Sequence, residues 1–260
     1  MNPDGIPSTP SQWRSFNIGA WLRDLGLDWF TLNLVINAYA AFILIGIGVA
    51  LWLTNRRLVA RGAEPWVVLD IALWAVPLGI LGGRLYHVAT HPADYFYEGA
   101  DLLRIFYVWE GGLAILGAVS LGAVGAYIGA RSVGLRFSAY ADALAPGLLL
   151  AQGIGRTGNY FNQELFGAPT DLPWGLQIDR PNSAIPVGLP DDTLFHPTFA
   201  YEMLWNVLGA LVLIWVGRKL SLQWGRLFAL YLVWYGIGRA FLETIRLDPA
   251  ELILGVRVNV

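Results

Sequence analysis

No cysteine occurs in the 260 residues, which excludes disulfides, zinc–thiolate sites and a cysteine nucleophile of the chain's own. Any reacting thiol has to come from a partner. Charge is scarce as well: Asp, Glu, Lys and Arg make up 14% of the chain, the formal net charge is -2, and nothing basic points to nucleic acid. The three histidines, His87, His91 and His196, are scattered and form no H-E-x-x-H pair, so no metal or other cofactor is expected. The first 30 residues lack a basic start followed by a continuous apolar run and do not read as a cleavable signal peptide. What the chain has instead is apolar surface. Hydrophobic residues reach 56%, tryptophans number 12, and the mean hydropathy is +0.51, the balance of an integral membrane protein with aromatic belts at both water interfaces.

Apolar runs long enough to cross a bilayer fall at about 33–53, 66–88, 109–130, 138–161, 198–216 and 224–245. The expected fold is therefore an all-α, polytopic bundle of about six transmembrane helices. Arg56, Arg57 and Arg61 follow the first span, Arg131 and Arg136 the third, and Arg218, Lys219 and Arg226 the fifth, which sets these loops on the cytoplasmic side. The opposite loops hold Asp94, Glu98 and Asp101, then Glu164, Asp171, Asp179, Asp191 and Asp192, against Arg104 and Arg180. Both termini are then expected outside. Residues 1–32, with Trp13, Phe16, Trp21, Trp29 and Phe30, read as an interfacial segment or a loose polar tail. Residues 33–246 are expected to form one transmembrane domain, including an outer loop region at 162–197 that is too polar to span and too long for a turn. Residues 247–260 form an outer C-terminal segment.

Arg84, Arg156 and Arg239 lie inside spans two, four and six, where a charge costs roughly 2.5–3.5 kcal/mol at mid-membrane on insertion scales. Counted along the helices, all three fall in the outer halves, at the depth of Tyr39, Glu110, Glu202 and Glu243. A single arginine near a helix end snorkels to the headgroups, but three at one depth call for a shared guest. Guanidinium forks match phosphate oxygens, the three glutamates can orient them, and a lipid phosphate is the natural ligand. Glycines beside Arg84 (Gly82, Gly83) and Arg156 (Gly153, Gly155, Gly158) leave room for a ligand or for a neighbouring helix. Asp70 and Asp142, in the first turns of spans two and four, read as structural partners of the helix dipole. The string GIGRTG at 153–158 matches a dinucleotide-binding glycine pattern, yet an apolar helix precedes it where that pattern needs a strand. His196 stands just before span five, near Tyr201 and Glu202, at the level of the arginines.

The string GIGRTGNYFNQELFG at 153–167 resembles the signature of the prolipoprotein diacylglyceryl transferase family. GGRLYHV at 82–88, WEGGLAILG at 109–117, HPTFAYE at 196–202 and YGIGRAFLETIR at 235–246 support it in order, so the resemblance runs from about Tyr39 to Asn259. It implies an enzyme of the bacterial cytoplasmic membrane whose site faces the outer leaflet. The implied reaction is transfer of the diacylglyceryl group of phosphatidylglycerol to the lipobox cysteine of a prolipoprotein signal peptide. Arg156 and Arg239 are implied as essential groups around the headgroup, with Asn159, Glu164 and Gly167 completing the signature and Tyr39, Tyr235 and Glu243 matching functional positions. Arg84, Arg246 and Glu110 are expected at the same lipid, and His196 and Glu202 at the reacting atoms. Two departures stand out. Leu116 occupies the place of a histidine found in the third span of many members, and the family's further helix after a GxRxN segment is not reached past Gly255, Arg257 and Asn259, so the chain looks C-terminally shortened. With leucine at 116, the thiol proton is left to His196, Glu202, Glu243 or the departing phosphate. The rival readings are a transporter of an anionic lipid or solute, in which the arginines bind a substrate released unchanged, and a non-catalytic scaffold.

Overall fold

A computed structural model describes residues 5–27, 35–108, 111–247, 251–253 and 256–258. Trp29, Phe30, Glu110, Gly255 and Asn259 lie outside the described residues. The protein is a multi-pass, all-α membrane protein built from α1 (Ile18–Asp24), α2 (Ala38–Val59), α3 (Val67–Thr90), α4 (Ile115–Ser132), α5 (Phe137–Asn162), α6 (Thr198–Lys219) and α7 (Arg226–Glu243). Two small antiparallel pairs complete it, β1 (Ser15–Asn17) with β2 (Val35–Asn37), and β3 (Glu251–Ile253) with β4 (Val256–Val258). Six long helices thus cover the six expected spans. Among the described residues four of them, α2, α3, α4 and α6, are long and apolar enough to cross a membrane. The apolar signal is weaker in α5 and α7, which carry Arg156 and Asn159, and Arg239 and Glu243. Leu44, Leu73, Val119, Leu204 and Leu211 are exposed, as side chains that face acyl chains must be.

Boundaries moved where backbone chemistry overrode hydropathy. The third helix starts at Ile115, not near 109, because Gly111 and Gly112 adopt φ of 89° and 70°, outside the right-handed helix. The first runs on to Val59, since Asn55, Arg56 and Arg57 continue the helical ladder with arginines in its last turn, where they complement the dipole. Asp142 lies in the second turn of α5, and its fully buried carboxylate accepts from the Gly225 N–H at 2.9 Å, so its structural role is a tie to a loop.

The chain divides into two compact units. The first comprises Met1–Trp52, Leu144–Leu222 and Arg226–Pro249; the second comprises Leu53–Ala143, Gln223–Gly225 and Ala250–Val260. In the first, Leu149 of α5, Leu213 of α6 and Leu227 and Tyr231 of α7 share one apolar core. Trp205 and Trp234 close α6 on α7 reciprocally: each indole N–H donates to the other's carbonyl at 3.1 Å, the rings stack at 4.6 Å, and Gly209 and Gly238 leave room for them. In the second unit, α3 and α4 meet backbone to backbone. A Cβ on Gly82 or Gly117 would overlap the other's carbonyl oxygen, and one on Gly129 would fall 2.8 Å from Ile71 Cα.

This close approach predicts that Gly117→Ala destabilises the protein by about 1–3 kcal/mol through overpacking. Gly122→Ala is the contrast, because its Cβ would sit at an ordinary 3.5 Å from Gly79 Cα. It should be neutral or gain up to about 1 kcal/mol of helix propensity. Thermal unfolding in detergent checks the pair, and equal midpoints would refute the packing argument.

Candidate active site

Glu202, on the first turns of α6 and 7% exposed, is the hub of the first unit's polar cluster. One carboxylate oxygen pairs with Arg156 Nε of α5 at 2.5 Å, and the other lies 3.9 Å from Arg246 Nη1 just past α7. Two cations thus flank one carboxylate. Arg156 Nη1 donates to Asn159 Oδ1 at 3.4 Å, and Asn159 Nδ2 donates to Glu164 Oε1 at 2.8 Å. The amide of buried Asn159 is therefore oriented from both ends, by a cation on its oxygen and a carboxylate on its nitrogen. Arg156 Nη2 has no protein partner among the described residues, so part of its fork remains unspent.

Glycines decide how these groups come together. A Cβ on Gly153 would lie 3.4 Å from Asn206 Cβ, and one on Gly158 would lie 2.5 Å from Tyr39 Cδ2 and 3.0 Å from Tyr39 Cα. Gly153 and Gly158 thus serve helix packing, drawing α5 against α6 and against Tyr39 of α2, while Gly155 faces open space. Gly167 is enclosed by two other segments. Its N–H donates to the His196 carbonyl at 2.9 Å, it bridges Arg246, and a Cβ there would come within 2.8 Å of His196 Cβ and 3.0 Å of Ile245 Cγ2. The same contacts fix where Arg246 emerges. The turn leading to Gly167 holds Gln163 and Leu165 at φ of 52° and 57°, a left-handed conformation costly for side-chain residues.

The remaining expected residues fall as follows. Arg239 and Glu243 are one turn apart on α7 with Nη2 and Oε2 at 2.9 Å, a charge contact and not an aligned hydrogen bond. Tyr235 stacks on Tyr231, whose hydroxyl accepts from Gln152 Nε2 at 3.0 Å across to α5. His196 Nδ1 lies 3.2 Å from the Tyr201 hydroxyl, which also accepts from Trp174 Nε1 at 3.0 Å. Arg84, Leu116, His87 and His91 belong to the second unit. Arg84 is 5% exposed, and its guanidinium donates to the carbonyls of Arg104, Ile105, Gly111 and Gly112 beside the Tyr95 ring. It lines a cavity of about 460 Å³ with His87, Asp94 and Arg104. Nearly all its N–H groups are thus committed to backbone. Leu116 is the second residue of α4 and exposed.

Sequence reasoning passed over Gln152, Tyr231, Gln163, Asp179 and Asn206. Asn206 had a legible signal, since it lies one turn on from Glu202 in an otherwise apolar helix. Gln163 had none, because a left-handed residue at a helix end leaves no periodic mark.

Comparison with known proteins gives a consistent result. The family model described as prolipoprotein diacylglyceryl transferase matches residues 28–260. A phosphatidylglycerol–prolipoprotein diacylglyceryl transferase of Leifsonia xyli is 57% identical over 258 residues, covering 94% of this chain and 77% of that one. Similarly named proteins of Streptomyces coelicolor and Rhodococcus jostii are each 53% identical, covering 86% and 89% of this chain and 70% and 67% of theirs.

Enclosure of Gly167 predicts that Gly167→Ala displaces the His196 and Arg246 strands and costs about 1–3 kcal/mol, read as a lowered unfolding midpoint in detergent. An unchanged midpoint would mean that neither strand is held by the missing side chain.

Proposed function

The chain belongs to the prolipoprotein diacylglyceryl transferase family, and from that premise we propose that it transfers the diacylglyceryl group of phosphatidylglycerol to the lipobox cysteine of prolipoprotein signal peptides. We place it in the bacterial cytoplasmic membrane with its site toward the outer leaflet, where exported precursors arrive and where the acidic loops lie. The observation that carries the reading is the cluster at Glu202. The signature's Arg156 is held at one edge by a carboxylate and keeps an unspent N–H group, beside a second guanidinium from Arg246.

In the proposed reaction the cysteine sulfur attacks the glyceryl carbon that carries the phosphodiester. A C–S bond forms, the C–O bond breaks with its electron pair passing to phosphate oxygen, and glycerol phosphate leaves. A phosphodiester leaves readily only where its growing negative charge meets fixed donors in a water-poor site, and Arg156 and Arg239 are given that task. Asn159 and Glu164 hold Arg156, while Gly167 admits the strands that bring Arg246 to Glu202. Tyr39 and Tyr235 line the helices around the headgroup. Arg84, most of whose N–H groups are taken by carbonyls, is assigned the holding of Arg104, Ile105, Gly111 and Gly112 and a contribution of charge. The thiol proton passes to His196, Glu202, Glu243 or the departing phosphate. A positive field lowers a thiol pKa from its ordinary value of about 8.5, so attack does not demand a strong base.

Arg156→Lys and Arg239→Lys should insert normally yet lose transfer by about a hundredfold, because an ammonium keeps the charge and not the planar fork. Purified protein, labelled phosphatidylglycerol and a lipobox peptide provide the assay, with label on the peptide as the readout. Wild-type rates in either variant would defeat the assignment, and label crossing a liposome membrane without joining the peptide would favour a transporter. Leu116→His should be unnecessary for activity. A chain inert until histidine is installed there would contradict this mechanism.

A further inference from the structure

Residues 5–14 precede the 28–260 segment matched by the family model, yet they are woven into the end of the signature helix. Ile6 bridges Leu176, its N–H donating to the Gly175 carbonyl at 2.8 Å and its carbonyl accepting from Gln177 at 2.9 Å. The Tyr160 hydroxyl donates to the Pro7 carbonyl at 2.8 Å, and buried Thr9 donates to the carbonyls of Tyr160 and Phe161 at 3.4 and 3.3 Å. Ser8 Oγ and Arg14 Nη2 then converge on the two oxygens of Asp179, each at 2.5 Å. The Arg14 carbonyl accepts from the N–H of Ala38, the residue before Tyr39, at 2.9 Å.

Asp179 relays this strap inward. Its backbone N–H donates to Gln163 Oε1 at 2.7 Å, and its carboxylate accepts from Gln163 Nε2 at 2.9 Å. Gln163 is buried and left-handed, and the next residue is Glu164, whose N–H donates to the Asn159 carbonyl at 3.1 Å while its side chain accepts from Asn159 Nδ2. We propose that Asp179, pinned by Ser8 and Arg14, is a positioning residue that holds Gln163 in its turn and thereby sets Glu164, Asn159 and Arg156. The proposal rests on the transferase reading above. The Ser8 hydroxyl, aided by Gln163 and Arg14 and opposed by partial burial, holds the Asp179 carboxyl below the usual aspartate range, so it remains a charged acceptor at neutral pH.

The test uses the full chain in detergent with phosphatidylglycerol and a lipobox peptide. Asp179→Ala should lower kcat between about tenfold and a hundredfold, the scale of a small misplacement of reacting groups, with KM for the lipid nearly unchanged. Asp179→Asn, whose amide oxygen at the Oδ2 place still accepts from Gln163 and Arg14 while its N–H group can donate to the Ser8 hydroxyl, should restore most of the rate. If Asp179 acts through Glu164, Asp179→Ala combined with Glu164→Gln should be no slower than Glu164→Gln alone. The Glu164 amide should exchange with deuterium at least about tenfold faster in Asp179→Ala. Asp191→Ala, which removes a side chain 94% exposed and paired to Arg180 at 3.4 Å, is the control for charge loss in the same segment and should change nothing. If Asp179→Ala does not fold, Ser8→Ala should shift both readouts the same way to a smaller degree. Additive rate losses, or wild-type kcat together with wild-type Glu164 exchange, would overturn the proposal. Absence of transfer in the wild type would instead sink the assigned reaction, and the amide exchange would still decide the role of Asp179.

Discussion

A carboxylate on an apolar helix holding two guanidiniums from other parts of the chain is the constraint on which the first unit's polar geometry depends. Buried Glu202 would be costly alone, and so would Arg156 and Arg246. Together they offset one another, and their mutual requirement fixes the rotation of α5 against α6 and the exit path of the chain after α7. Apolar packing cannot supply such registration in a bilayer, because lipid tails are as apolar as the leucines they would replace.

Glycine supplies the complementary constraint, that of distance. Gly158 lets Tyr39 pack directly on α5, Gly153 lets α6 come close enough for Glu202 to reach Arg156, and Gly167 admits two strands at once. A Cβ would overlap its neighbours at 158 and 167, whereas at 153 it would meet α6 at the edge of ordinary contact. At 153 and 158 the neighbour is a facing helix, whereas at 167 it is a pair of backbone segments with no freedom to withdraw. Gly155, with open space beside it, is the one glycine of the string that helix packing leaves unexplained.

Much of this was legible in the sequence because membrane physics writes itself in long, unambiguous runs. Six apolar stretches became six helices, and Glu202, Glu243, Arg156 and Arg239 drew attention because ionised groups are expensive in such stretches. Three kinds of feature were not legible. Gly111 and Gly112 delayed α4 through positive φ, which hydropathy does not register. The strap at 5–14 read as either an interfacial segment or a loose tail, because its hydrogen bonds join residues more than 150 positions apart and use side chains too short and polar to form a pattern. Asp179 was counted among acidic loop residues as one charge of several, although its partners distinguish it from exposed Asp191.

Arg84 and Arg156 differ in how much of their hydrogen-bonding capacity other protein groups have taken up. Both follow glycine, both lie within helices, and both look alike to any count of charge and hydropathy. Arg84 has given its N–H groups to four carbonyls, so it holds a loop and keeps little of its fork for a guest. Arg156 is anchored through Nε and one long bond from Nη1, which leaves Nη2 available while the ring of partners keeps the guanidinium plane fixed. A donor that is positioned but not consumed is the arrangement that favours growing negative charge over a charge already present, since nothing has to reorganise when the charge appears. The distinction between the two arginines is therefore one of unspent hydrogen-bonding capacity, a property of three-dimensional neighbours that no linear reading of glycine and arginine contains.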